Sequence, residues 1–333
     1  MKAFAIKSYG KSVPLQRVDL PEADLGPRDV RVRIQAAAVN ALDSKIRNGE
    51  FKAFLPYKMP LILGNDMAGV ITKIGSAVRR FTVGDVVYAR PADNRIGTFA
   101  ENIVIAEDDL AHVPKNITIP EAASLPLVAL TAWQALVEVG QVGPGQKVLV
   151  HAGSGGVGTV AIQLAKHLGA QVATTCSARN IAMMRNLGAD VVIDYATQDF
   201  ATELSGYDLV LNSLDGDRLL KSVGVLRPGG RLISISGPPD PAFTAQRGLN
   251  FVLKAVFAAL SFKIRRAARK AGVTYGFLYM RSSGEQLAKV TALVEQGLIT
   301  PVIDRIFPFR DTVQALAYLE QGHATGKVVI AME

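Results

Sequence analysis

The feature that most constrains this chain lies near its middle. Val148-Leu149-Val150-His151-Ala152 has the continuous apolar character of a buried parallel strand, Gly153-Ser154-Gly155-Gly156-Val157-Gly158 follows at once, and TVAIQLAKHLG (159–169) then spaces its apolar residues as a helix does. Strand, GxGxxG turn and helix in that order predict a unit that receives a dinucleotide pyrophosphate at the helix N-terminus. The chemistry needs small residues because the phosphates must approach backbone N–H groups, where the helix dipole favours an anion. Ser154, Gly155, Gly156 and Val157 are the expected cradle. Without a ligand the same run is only a glycine-rich turn; the repetition of strand and helix downstream favours the cofactor reading.

That repetition runs from about residue 121. A helix through LVALTAWQALVEVG is followed by the glycine-rich unit, QVATTC, IAMMRNLGA, VVIDY, YDLVLNSL and GRLISISG. Near-continuous apolar strands alternating with amphipathic helices predict a doubly wound parallel sheet. Before residue 120 the pattern differs: VRVRIQAAAV (30–39), AGVITKIG (68–75), DVVYARP (85–91) and ENIVIAE (101–107) are short β-rich runs broken by turn signals. The end of the chain, with FPF (307–309) and KVVIA (327–331), lacks the alternation and is expected to rejoin the first domain. A length of 333 residues suits two domains. The expected boundaries are 1–122 with 281–333 for a β-rich domain and 123–280 for an α/β domain, with a basic helical insertion at about 241–271.

Cofactor choice is read at the end of the strand after the glycine-rich unit, where an acid would hold the ribose 2′-hydroxyl of NAD. Here that strand ends Thr175-Cys176-Ser177-Ala178-Arg179-Asn180, with no acid. Ser177 can donate to a 2′-phosphate and Arg179 can offer it a planar fork. NADP(H) is therefore the expected cofactor, with Arg179 as a solvated helix-start residue the alternative. Tyr195, ending VVIDY, is a second candidate contact at the adenosine end.

Net charge is +8, yet Pro241–Gly284 contains no acid and eight bases, namely Arg247, Lys254, Lys263, Arg265, Arg266, Arg269, Lys270 and Arg281. The rest of the chain sums to zero, which argues against a DNA-binding domain with charge spread over a face. The segment has only Phe251, Phe257 and Phe262 as aromatics, not the stacking platform that single-stranded nucleic acid needs. Leu249, Val252, Leu253, Val256, Phe257, Leu260 and Ile264 recur at helical spacing, giving one apolar face. Such a helix packs on its own domain or at a dimer interface, or serves as a lid or a contact with an anionic membrane. One cysteine, Cys176, excludes an internal disulfide and a cysteine-rich zinc module, and fits a reducing, cytoplasmic setting. The N-terminus lacks the apolar core of a signal peptide, and no run of apolar residues is long enough to span a bilayer.

Together these features resemble the medium-chain dehydrogenase/reductase superfamily, and within it the zinc-free quinone oxidoreductase and enone reductase branch. The resemblance rests on Val39-Asn40-Ala41-Leu42-Asp43 with Lys45-Ile46-Arg47, GNDMAGVI (64–71), Val83-Gly84-Asp85-Val86-Val87, Gly97-Thr98-Phe99-Ala100-Glu101, Leu130-Thr131-Ala132-Trp133, AGSGGVG and Gly326-Lys327-Val328-Val329, and covers nearly the whole chain. It implies a GroES-like β domain around a Rossmann domain, and a homodimer. Zinc members of the superfamily carry a cysteine near Asn40 and a histidine in the turn that reads Gly64-Asn65-Asp66 here. Both are missing, and His112, His151, His167 and His323 have no ligand-like spacing, so no metal is implied.

Without a Lewis acid the expected substrate is one already electrophilic, a quinone or an α,β-unsaturated carbonyl, that takes hydride from NADPH while donors meet the charge on its oxygen. The resemblance places Asn40 and Thr131 near the nicotinamide and its ribose, Phe277-Leu278-Tyr279 beside the carboxamide, and Ser213 and Leu214 in the cofactor crevice. Tyr57, in Leu55-Pro56-Tyr57-Lys58, is the first candidate donor to the substrate oxygen, with Lys45 and Asn65 behind it. Packing, surface charge and turn formation are the respective alternatives. A competing reading from another class is an NADPH-binding sensor or interaction protein that uses the basic segment for membrane or nucleic-acid contact.

Overall fold

The change of hydrophobic period along the chain is a change of architecture. The computed structural model describes residues 1–332, which divide into two compact units, Met1–Leu130 with the chain from Arg281, and Thr131–Met280.

In the first unit, alternating strands build a seven-stranded sheet in which Ile303–Pro308, Lys327–Ala331, Asp29–Val39, Asp66–Ile74, Val86–Ala89 and Leu110–His112 lie side by side, with Asn102–Ala106 also on Asp29–Val39. A smaller sheet holds Gln16–Asp19, Lys2–Ile6 and Leu61–Ile62. Their inward residues, among them Phe4, Ile34, Leu63, Met67 and Phe99, form one core. The C-terminal strand Lys327–Ala331 pairs antiparallel with Asp29–Val39, and Tyr88 Oη donates to Leu287 O at 2.9 Å, so the end of the chain is built into this unit.

The second unit is a six-stranded parallel sheet of β1 (Lys147–Val150), β2 (Gln171–Cys176), β3 (Val191–Asp194), β4 (Tyr207–Asn212), β5 (Leu226–Ser234) and β6 (Thr274–Phe277), in spatial order β3-β2-β1-β4-β5-β6. The order reverses between β1 and β4, and a crevice outside the carboxyl ends of the strands is where such sheets bind ligands.

The basic segment folds differently from the single helical face that its spacing predicts. Asp240 and Asn250 cap two helices, Pro241–Gln246 and Phe251–Leu260, and a third, Phe262–Lys270, starts after Ser261. Of the seven periodic apolar residues only Ile264 is buried, joining a core with Leu219, Val223 and Val273. Packing of the whole face on its own unit is thereby corrected: the segment breaks into three short helices, and Val252, Val256 and Leu260 are left exposed.

Candidate functional site

At the end of β1 the backbone turns through Ala152, which sits at φ 52°, in the left-handed region that a residue with a Cβ rarely adopts. The helix that follows, Gly156–His167, has Gly155 at its N-cap in extended conformation and no side chain capping it. Its first N–H groups are therefore open to an anion. Gly158 lets this helix sit against the turn, since a Cβ there would lie 2.5 Å from Ala152 O and 2.6 Å from Gly153 Cα. Ser154, Gly155, Gly156 and Val157 all fall on this loop and first turn, and the site fits a pyrophosphate.

The other candidates of this unit, apart from Thr131, also lie at or just beyond carboxyl strand ends. Ser177 is half-buried and Arg179 exposed past β2, and no carboxylate stands among residues 177–180. Tyr195, 59% exposed, follows β3. Asp194 beside it is folded into the turn, accepting from Ala196 N–H at 3.1 Å. A cavity of about 650 Å³ opens here, walled by Tyr195, Thr197, Phe200, Leu214, Arg218 and Lys221. Ser213 Oγ donates to His151 O at 3.3 Å, which holds the end of β4 to that of β1. Leu278 N–H donates to Ser234 O at 2.8 Å past β6, the Phe243 ring stands edge-on to Phe277 at 5.2 Å, and the Arg247 guanidinium lies 4.6 Å from the Tyr279 ring centre. Thr131 is buried.

His151 forms the inner wall of the cavity. Burial, and behind it the Arg218 charge, pull its pKa down to about 4, so it is neutral near pH 7. Ser222 Oγ already donates to Arg218 O at 2.8 Å, so His151 Nε2–H donates to Ser222 Oγ at 2.9 Å and Nδ1 accepts from Thr175 Oγ1 at 3.3 Å.

In the first unit, strand register assembles a buried polar cluster. Ala38 stands opposite Asp66 and Val39 opposite Val328, which brings Asn40, just past the strand, to both Asp66 and Lys327. Asp66 Oδ2 accepts from Asn40 Nδ2 at 2.8 Å and Lys327 Nζ at 3.1 Å, and its Oδ1 accepts from Leu127 N–H at 2.7 Å. Asp43 accepts from Asn40 N–H and from Asn65 Nδ2, both at 2.7 Å. Asp43, Asn65 and Asp66 are wholly buried, and burial pushes the Asp43 carboxyl up to about 7 against the pull of Asn65 and the Asn40 amide. Gly64 (φ 106°) makes the turn before them possible, because a Cβ there would sit 2.3 Å from Thr98 Oγ1.

Asn40 and Asn65 thus meet, whereas Lys45 and Tyr57 do not join them. Lys45 lies two residues past Asp43 on the helix Ala41–Asn48, about 200° around its axis. Tyr57 packs on the unit's core, its loop pinned by its N–H donating to Tyr9 Oη at 2.7 Å. Three cluster members, Asp43, Asp66 and Lys327, escaped the sequence reading as site residues. The signal available was Lys327, a charged residue opening an otherwise apolar strand. Arg90 escaped as well: it is 1% exposed, bound through Nη2 to Asp93 at 2.6 Å, and its Nε and Nη1 have no partner among the described residues. Among the described residues no three His, Cys, Asp or Glu side chains are grouped to hold a metal ion.

Comparison with known proteins places this geometry. Residues 26–115 match the alcohol dehydrogenase GroES-like domain, and residues 187–330 match the family described as zinc-binding dehydrogenase. The chain is 34% identical to the mitochondrial NAD(P)H oxidoreductase RTN4IP1 of Danio rerio, covering 100% of this chain and 91% of that one. It is also 34% identical to the chloroplastic NADPH-dependent alkenal/one oxidoreductase of Arabidopsis thaliana, covering 99% and 79%. The solved structure of the quinone oxidoreductase from Coxiella burnetii superposes with a TM-score of 0.86 at 30% identity, covering 100% of this chain and 99% of that one. With an open Rossmann sheet, a GroES-like unit and relatives matched from end to end, this chain belongs to the medium-chain dehydrogenase/reductase superfamily, in its quinone and enone oxidoreductase branch.

Proposed function

We propose that this chain is an NADPH-dependent reductase of quinones or α,β-unsaturated carbonyls that works without catalytic zinc. The observation that carries the reading is an uncapped, glycine-lined helix N-terminus next to a β2 that is followed by Ser177 and Arg179 instead of a carboxylate. The names of the Arabidopsis and Coxiella proteins, an alkenal/one and a quinone oxidoreductase, describe the same kind of acceptor. NADPH, when bound, supplies the hydride.

The residues divide the remaining work. The Gly156–His167 N-terminus takes the pyrophosphate, Ser177 and Arg179 the 2′-phosphate, and Tyr195, with the cavity beside it, the adenosine. Thr131, Ser213, Leu214 and Phe277–Tyr279 are the proposed contacts toward the nicotinamide end. In the first unit Asn40 is held by Asp66 and Lys327, and Asn65 by Asp43, so both amides are fixed before any substrate arrives. Tyr57 is the proposed donor to the substrate oxygen, with Lys45 the alternative cation. The zinc-free reading rests on donor chemistry: amides stand at Asn40 and Asn65, and the Lys327 ammonium already neutralises Asp66. An acceptor that is itself conjugated needs positioning and a hydrogen bond more than a Lewis acid. A homodimer and a cytoplasmic location belong to the same reading. One edge of β6 is unpaired among the described residues, and the lone Cys176 is buried, its thiol pushed up to about 11 by burial.

NADPH oxidation with 9,10-phenanthrenequinone and with a simple enone tests the reading. Turnover of at least one is expected; NADPH binding with turnover of neither would replace it with a sensor or interaction role. Tyr57→Phe is expected to lower kcat by about 10²-fold, the low end for a lost proton donor. Unchanged kcat would remove Tyr57 from the mechanism.

A further inference from the structure

The helix Phe251–Leu260 contains no buried residue. At 100° per residue, Phe251, Val252, Ala255, Val256, Ala259 and Leu260 fall on one half of its circumference, and all six are exposed. Half-buried Leu253, Phe257 and Ala258 take the other half, together with the exposed Lys254. The outward side therefore carries no polar group at all, with Phe251 82% and Leu260 60% exposed. Phe262, 50% exposed, extends the patch into the next helix.

That next helix has the opposite character. Phe262–Lys270 buries Ile264 and Ala268 in the core of its own unit and leaves Lys263, Arg266, Arg269 and Lys270 in solvent. No acid occurs from Pro241 to Gly284, and none of these four bases makes an ion pair among the described residues. An apolar face rimmed by one sign of charge marks an interaction surface, and the charge decides the partner. Two copies of this chain meeting symmetrically on the patch would set the same bases against each other. Nucleic-acid phosphate would satisfy the bases and leave the apolar half in water. An anionic bilayer satisfies both. No helix among the described residues is long and apolar enough to cross a membrane, so the contact lies in the surface plane.

We propose that Phe251–Leu260 and Phe262–Lys270 form a peripheral membrane-contact face, in which the outward side of the first helix and Phe262 enter the headgroup boundary of an anionic bilayer while Lys263, Arg266, Arg269 and Lys270 meet its phosphates. The inference stands apart from the reductase reading, because its test needs no turnover.

The full chain is floated with phosphatidylcholine vesicles and with phosphatidylcholine/phosphatidylglycerol vesicles, as wild type, as Phe251→Glu/Leu260→Glu and as Arg266→Glu/Arg269→Glu. Wild type is expected to float with the anionic vesicles at least tenfold more than with the neutral ones, and each double variant to lose about tenfold of that partition. All substituted residues are solvent-exposed, so melting temperatures should stay close to wild type; should the first pair unfold, Val256→Ser/Leu260→Ser replaces it with the same loss expected. Wild type that fails to float, or folded variants that float as wild type does, overturn the proposal. So does a Phe251→Glu/Leu260→Glu protein that dissociates an oligomer in sedimentation while its flotation is unchanged, which would assign the face to a second copy.

Discussion

At the scale of single residues, two buried titratable groups oppose each other. His151 is held neutral, its pKa falling from 6.5 to about 4, and Asp43 is pushed toward its protonated form, rising from 3.8 to about 7. A depressed histidine contributes stability that is complete above pH 6.5 and lost as pH falls toward 4, about 3 kcal/mol in all. A raised carboxyl does the reverse, contributing below its unfolded value and losing about 4 kcal/mol as pH rises toward 7. Urea midpoints across that range should therefore show His151→Gln catching up with wild type as pH falls, while the deficit of Asp43→Asn grows. Curves parallel to wild type would remove both assignments. Arg179 belongs at this scale too. Its loss in Arg179→Ala should raise KM for NADPH roughly 10- to 100-fold, the worth of a hydrogen bond to a charged group, and leave KM for NADH almost unchanged. Equal effects on the two cofactors would refute its role. The position of Arg179 just past β2, though not its role, was legible in the sequence because it sits at a set distance from the glycine-rich turn. Asp43 and Asp66 were not: they lie in segments already noticed, but their partners come from residues 65 and 327, and only strand register brings those together.

At the scale of elements, the strand, turn and helix around Gly153–Gly158 were readable because the chemistry is local. Gly158→Ala would push its Cβ to 2.5 Å from a backbone oxygen that cannot move aside. It is expected to destabilise by about 1–3 kcal/mol, as overpacking does, and to weaken NADPH binding. Gly155→Ala, whose Cβ would meet only Ala152 O at 3.3 Å, is the mild control for melting temperature. The basic segment was less readable. Its apolar spacing predicts one helical face, but Asn250 and Ser261 interrupt it, and of its residues Leu249, Leu253 and Phe257 are half-buried while Val252, Val256 and Leu260 stay in solvent. Spacing reports that a face exists; what covers it depends on everything the face could pack against.

At the scale of the whole molecule, a cofactor held mainly by Thr131–Met280 should raise the melting temperature of that unit. NADPH at a hundred times its Kd contributes about 2.7 kcal/mol, or roughly 5–10 °C for a unit of this size, and calorimetry of the full chain with and without NADPH measures it. A shift of the same size with NADH at an equal concentration would contradict the selectivity assigned to Ser177 and Arg179. The sequence by itself determined the two architectures, the strand, glycine-rich turn and helix, and the cofactor, because periodicity and short motifs act over a few residues and survive in one dimension. Only the tertiary structure decided that Asn40, Asp43, Asn65, Asp66 and Lys327 form one buried cluster and that the Phe251–Leu260 face stays bare. Both depend on contacts between, or missing from, segments far apart in the chain, where burial alone sets which charges must be paired and which apolar side chains are left to find a partner.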